Sequence, residues 1–255
     1  MKSQKVYPPP GMRARAVARI AMFSAVCVLF AAAPARALNY FELEVYPYYT
    51  ADKGEFEIEN STTHTSRGTK DEQPPNNNEG LTRSSLEFTY GVTDSTEITY
   101  YRDYARPRGA SFEYVASRYR ARTRFYEKGE LPVDLGLYVE IEAPRDGDAE
   151  LELRGIIEKD FGRWTVDFNP ILELEKEPER ELEFLYAASL IYRANEYWRP
   201  HLDLFGDFEA HVHLVSPAAD FKLGRGFSAM LGVAFGMTEE AEQRLVRAGL
   251  EWEFY

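Results

Sequence analysis

Cysteine is almost absent from this 255-residue chain, and the single one, Cys27, lies in an apolar stretch near the N-terminus. An exported form lacking that stretch cannot rely on disulfides, and thiolate zinc sites and thiol nucleophiles are excluded with them. Histidine is nearly as scarce, at four residues. Beyond the N-terminal stretch no apolar run approaches the roughly 18 residues of a spanning helix, so any passage through a membrane must use strands. Basic charge is short too, with 30 Lys and Arg against 42 Asp and Glu. Six of those 30 basic residues and no acid fall within positions 1–37, leaving 24 against 42, or a net −18, for the remainder. Phosphate neutralisation needs a basic face, so nucleic acid is not an expected partner. Serine-elbow, P-loop and H-E-x-x-H patterns are missing as well.

What is present begins with an address. Lys2, Lys5, Arg13, Arg15 and Arg19 form a basic region ahead of an apolar run from Ile20 to Ala33, and Ala35-Arg36-Ala37 supplies a cleavage site. Residues 1–37 are therefore expected to be a removed signal peptide, with Met12 as well as Met1 available as a start. From Gly54 onward the chain divides into segments of about ten alternating residues separated by turn residues. Twelve strands are expected: 55–64, 82–90, 96–105, 112–126, 132–143, 150–160, 164–175, 182–193, 198–208, 211–223, 227–237 and 244–255. Tight turns such as Phe161-Gly162-Arg163 and Gly224-Arg225-Gly226 alternate with longer polar connections, of which Ser66 to Gly80 is the longest. The connection at Phe208 to Ala210 is the short exception.

Alternation also suits a soluble sandwich, whose apolar faces turn inward. Two features favour a barrel in lipid. The apolar faces are nearly free of charge, as in Val133, Leu135, Leu137, Val139 and Ile141. Aromatics gather near the tight turns, among them Tyr90, Tyr126, Trp164, Tyr192, Trp198 and Phe227, where a lipid–water boundary stabilises them. The last strand places Val246, Ala248, Leu250, Trp252 and Phe254 on one face, and Trp252, Phe254 and Tyr255 are expected to act as its assembly signal. Segment 38–53 fits no strand scheme and is expected as a lead-in, in the periplasm or tucked against the barrel mouth.

The inward faces carry both signs of charge. Arg118, Arg120, Arg122 and Arg124 recur at spacing two, beside Asp134, Glu140 and Glu142 on the next strand, and these seven are the candidate solute path. The ladder can pass an anion between guanidiniums, or it can pair with carboxylates and fill a narrow lumen. His201, Asp207, His211 and His213 are weak candidates for a metal site, on the assumption that a three-residue loop sets Asp207 opposite His211. No cofactor is expected, and no catalytic set stands out.

The plan is similar to the small twelve-stranded outer-membrane channels of the oligogalacturonate- and sialic-acid-specific type, through its signal, length, strand count, aromatic terminus and arginine track. It departs from them in a terminal Tyr255 one step past Phe254 and in a less basic lumen. The resemblance implies a transmembrane, antiparallel, up-and-down β-barrel over 54–255 in the cell outer membrane. Its implied partners are outer-membrane lipid, the barrel-assembly machinery and small charged solutes. The expected function is a small-solute channel. The alternatives are a closed structural or adhesive barrel with a salt-bridged lumen and, less favoured, a hydrolase.

Overall fold

A computed structural model describes residues 40, 41, 43–73, 76–175 and 181–255. The signal expected over 1–37, with its two start positions, lies outside them. Twelve strands follow in order: β1 (Phe56–Arg67), β2 (Thr82–Thr93), β3 (Thr96–Arg106), β4 (Glu113–Arg124), β5 (Asp134–Pro144), β6 (Glu150–Phe161), β7 (Trp164–Glu175), β8 (Glu181–Tyr192), β9 (Trp198–Asp207), β10 (Val212–Gly224), β11 (Phe227–Gly236) and β12 (Arg244–Phe254). Each pairs antiparallel with its sequence neighbours, and β1 pairs with β12, so the sheet closes into an all-β barrel with no free edge. Closure is what permits strands to meet lipid, because every ladder N–H and C=O finds a partner.

Turn chemistry explains the compact end of the barrel. Between β10 and β11, Arg225 and Gly226 take φ of 56° and 76°, the doubly positive pair of a hairpin turn that matches strand twist. Phe161 pairs directly with Trp164 around Gly162, whose φ is 62°. Five connections and the C-terminal residue lie at this tight-turn end; four are short, and the fifth, 125–133 between β4 and β5, holds nine residues where the sequence predicts a tight turn. The opposite, long-loop end carries residues 68–73, 76–81, 107–112 and 237–243. Two of these loops join across the mouth: Lys70 N–H donates to Glu239 O (2.9 Å), and Gln243 N–H donates to Gly68 O (3.3 Å).

Alternation sorts the side chains as read from the sequence. Ile141, Phe168, Leu202, Leu231 and Leu250 stand exposed on the outer wall, while Glu97, Asp103, Arg118, Glu158 and Asp203 are buried on the inner one. The aromatic band at the tight-turn end is continuous over β11, β12 and β1. Phe227 stacks on Trp252 (5.4 Å between centroids), Trp252 meets Phe254 (4.5 Å), and Phe254 meets Phe56 across the closure (5.2 Å). Trp252 and Phe254 point outward on β12, whereas Tyr255 lies beyond the strand, with its hydroxyl donating to Asp52 Oδ2 at 3.3 Å.

Candidate functional site

The lumen is not empty. Residues 43–52 neither pair as a strand nor remain at the mouth: they run through the barrel interior as an extended strap. Tyr40 lies beside Arg83 at the long-loop end (4.9 Å), and Ala51 lies beside Glu97 at the tight-turn end. Pro47 lacks an N–H and cannot join a ladder, so the strap borrows its hydrogen bonds from wall side chains. Tyr46 is bracketed by Asn169, which accepts from its N–H (2.7 Å) and donates to its C=O (3.1 Å). Tyr48 N–H donates to Glu158 Oε2 (2.8 Å), and Ala51 N–H donates to Glu97 Oε2 (2.6 Å). The strap carbonyls of Glu44 and Pro47 accept from Arg154 (3.0 Å) and Arg122 (3.4 Å), and Leu43 C=O accepts from Arg247. At the far end Gly91 closes the hinge between strap and β1, where a Cβ would collide with the Asp52 carbonyl.

Tyr46 is the hub of this contact. Its ring lies 4.9 Å from that of Tyr138, and the guanidiniums of Arg120, Arg122 and Arg154 stand 4.8, 5.3 and 4.8 Å from its centroid. A cation over an aromatic face is attracted by the ring quadrupole, and more strongly where water is excluded. The arginines reach this position because alternation on β4 (Arg120, Arg122) and β6 (Arg154) turns every second residue inward.

The candidate path residues are therefore largely neutralised. Arg118 is fully buried, holds Asp103 with two nitrogens (2.7 and 3.2 Å), reaches Glu140 (3.3 Å) and stacks on Tyr101 (4.1 Å). Arg120 and Arg122 share Glu97 at 3.1 and 2.9 Å. Arg124 sits at the tight-turn rim, bonded to Asp94 C=O and paired with Glu127 (3.3 Å). Asp134 accepts from Gly129 N–H (2.7 Å) and braces a turn, while Glu142 faces the lumen opposite Arg118. In that turn Lys128 bridges Glu158 and Asp160. Burial alone would lower its pKa, but the bonds and charges of those carboxylates outweigh burial and raise it.

The long-loop half of the lumen is closed. Inward Ile171, Leu185, Phe205, Val212, Leu214, Ala234 and Leu245 pack with Leu43 of the strap and Ala241 of the last loop. On the opposite wall Glu242 descends from that loop to Arg83 (2.6 Å) and Thr65. The tight-turn half keeps a cavity of about 770 Å³ between the strap and the wall of β8–β12 and β1. Twelve carboxylates, Asp220, Glu251, Glu253, Glu57 and Glu59 among them, line it against six Lys and Arg, which include Arg120 and Arg122 beside the strap and Arg199, paired with Asp220 at 3.3 Å. Carboxylate oxygens of Glu57, Glu251 and Glu253 lie within 4.8 Å of one another, close enough to face a single cation.

The histidine cluster does not assemble. Asp207 pairs with Val212, not His211, because the turn holds four residues. That one-residue difference sends Val212 and Leu214 inward and His213 outward, where its Nδ1 lies 3.3 Å from the Tyr186 hydroxyl. His211 occupies the turn with φ of 55°, and Asp207 Oδ1 accepts from Glu209 and Ala210 N–H (2.8 and 2.9 Å). His201 is separate, on the inner wall, with Nδ1 donating to Asp203 Oδ1 (2.7 Å). Ser189 donates to that same oxygen (2.8 Å), so the imidazole rests on the carboxylate and not on the hydroxyl, which is no nucleophile–base arrangement.

No family model matches the sequence, and no curated protein does. Solved structures do match. The KdgM porin aligns over 78% of this chain and 99% of its own, at 9% identity and a TM-score of 0.57. An outer membrane channel from Pseudomonas putida F1 aligns over 87% of this chain and 100% of its own, at 11% identity and a TM-score of 0.59. The Acinetobacter baumannii outer membrane protein Omp33 aligns over 80% and 100%, at 5% identity and a TM-score of 0.51. At such identities the likeness is one of fold: this chain has the architecture of the small outer-membrane barrels.

Proposed function

We propose that this protein is an outer-membrane channel for small solutes that rests shut, with residues 40–52 as its internal gate. The tight-turn end faces the periplasm and opens into the acidic vestibule, while strap, apolar cluster and last loop close the outer half. One observation carries this reading: a segment outside the sheet occupies the lumen and is held chiefly by side chains. A permanent core has no need of such a joint, whereas a gate needs contacts that can be exchanged for water. Small cations are the expected solutes of the resting vestibule, because carboxylates outnumber bases around it and charged rings set the sign of selectivity.

A second reading has its own support. The lumen ring of Arg118, Asp103, Glu140, Arg154 and Glu152 is buried and paired, as a permanently closed structural barrel requires. Single-channel recording separates the two. Mature protein in a planar bilayer should give rare, brief openings, and a chain lacking 40–52 should conduct for most of the record. A shortened barrel that inserts and carries no current would leave the structural reading standing.

A further inference from the structure

The outer wall is not uniformly apolar. On β5 to β11 its outward residues remain largely apolar into the long-loop half, as with Ile141, Leu172, Phe184 and Phe235, with His213 the exception on β10. On β1, β2 and β3 that half is polar instead, and on β12 Arg244 stands at the rim beyond outward Val246 and Ala248. Asn60 Nδ2 donates to Ser84 Oγ (3.0 Å), Thr62 meets the same hydroxyl (3.2 Å), and His64 Nδ1 meets Thr82 Oγ1 (2.9 Å). These groups satisfy one another, which is the condition for standing in lipid.

The arginines above them are not satisfied in the same way. Arg102 points outward and lies 4.7 Å from the Tyr114 centroid and 6.0 Å from that of Tyr104, with its Nε buried and without an acceptor. Its long stem lets the guanidinium rise toward the rim. Arg106 stands over Phe112 (4.9 Å) and reaches only Thr82 Oγ1 (3.4 Å). Arg244 donates to Ser66 Oγ (2.8 Å) and is the direct cross-strand partner of Arg67, a like-charge opposition that costs free energy unless an anion lies nearby. Among the described residues none of these four forms an ion pair, and no outward position of β12, β1, β2 or β3 holds an acid. Four guanidiniums thus border one polar sector with no counter-charge from the protein.

We propose that this sector, on β12 and β1–β3 at the long-loop end, binds one phosphorylated saccharide lipid of the outer leaflet. Guanidiniums match phosphate oxygens in a bidentate fork, and hydroxyl, amide and imidazole groups below them suit sugar and acyl linkages. Arg244 and Arg106 are three strand spacings apart, about 14 Å at ~4.8 Å per strand, a span suited to a disaccharide phosphorylated at both ends. A second copy of this chain is the poorer occupant. A two-fold axis along the membrane normal would set residues of equal height against each other, arginine on arginine. The inference rests on the outer-membrane reading and on the long-loop end facing outward.

The test is native mass spectrometry of protein purified from outer membranes and exchanged into detergent. The probes are bisphosphorylated lipid A, the same lipid enzymatically dephosphorylated, and inorganic phosphate. Retention of one bisphosphorylated molecule, with the dephosphorylated lipid held ~10-fold less well, is expected, and the R102Q/R106Q/R244Q variant should lose that preference. The comparison of the two lipids needs no variant, so a triple variant that fails to fold does not blunt it. Equal retention of both lipids would reduce the sector to ordinary lipid contact and overturn the proposal. Full competition by inorganic phosphate would do the same by assigning the arginines to a free anion. So would a dimer in place of the lipid adduct. Absence of the protein from the outer-membrane fraction would instead remove the reading beneath the proposal, and the proposal with it.

Discussion

Replacing Tyr46 by alanine should free the strap without dismantling the barrel. The ring faces three guanidiniums and one tyrosine ring in a site from which water is excluded. Each cation–π contact is worth about 0.5–2 kcal/mol, and truncating a buried aromatic to alanine costs ~3–5 kcal/mol. All of these contacts join strap to wall, so the loss falls on the equilibrium between seated and released strap. A shift of ~3–5 kcal/mol multiplies the released fraction by roughly 10² to a few times 10³. The mature chain is expected to be free of cysteine, so Ala51→Cys, almost fully buried at 4% exposure, provides a reporter. Its maleimide labelling rate should rise by about two orders of magnitude when Tyr46→Ala is added, and channel open time should rise with it. Unchanged labelling together with a lowered melting temperature would refute the reasoning. The ring would then be bracing the wall, and the strap would be a permanent part of the core.

Other outcomes follow from the same geometry. Arg118→Ala leaves Asp103 and Glu140 buried without their cation, and should lower stability by about 3–5 kcal/mol, read as a fall in thermal midpoint, whereas Arg118→Met with both acids made neutral should recover most of it. Neutralising Glu57, Glu251 and Glu253 together as glutamines should move the reversal potential of a conducting variant toward zero under a salt gradient, and an unchanged potential would remove the vestibule from the ion path. Trp252→Ala with Phe254→Ala breaks the aromatic band over the barrel closure, and should slow assembly into lipid vesicles, followed by gel mobility of unheated samples, far more than Tyr255→Ala, whose ring stands free of the strand.

The barrel was legible because strand pattern is local. Each wall residue declares its side through the next two positions, and every strand bound lies within three residues of the one read from alternation. The histidine reading failed for the same physical reason that made the rest succeed. With a period of two, one residue misjudged in the β9–β10 turn exchanges inside for outside, and His213 went with it. The arginine ladder was visible as a ladder, but its partners were not, since Asp103 and Glu140 reach Arg118 from both flanking strands. The strap was the least legible. Its bonds run to Asn169 and Glu158, 123 and 110 residues away, and they join backbone to side chain, which leaves no periodic trace. The available clue was negative: Pro47 between Tyr46 and Tyr48 forbids a ladder strand where the alternation of 41–45 suggests one.

The acidic excess of residues 38–255, a net −18, and the inward arginines conflict only if the lumen is taken as one compartment. Arg120, Arg122 and Arg154 give their charge to Glu97, Glu152, the Tyr46 ring and strap carbonyls, Arg120 and Arg122 bordering the cavity on the strap side, whereas the acidic excess collects across the cavity on β10, β12 and β1. Removing the strap strips those arginines of the ring and the carbonyls while their carboxylates remain, and opens that wall to water. The seated barrel therefore presents mainly its acidic wall to a solute, and the strap-free barrel presents both. Cation preference should be strongest in the brief openings of the intact chain and weaker in a chain lacking 40–52, with the reversal potential under the same salt gradient closer to zero. Adding Arg120→Gln and Arg122→Gln to the shortened chain should restore the preference. A shortened chain as cation-selective as the intact one would mean that the arginines never reach the ion path, and that the ladder serves only as the socket of the strap.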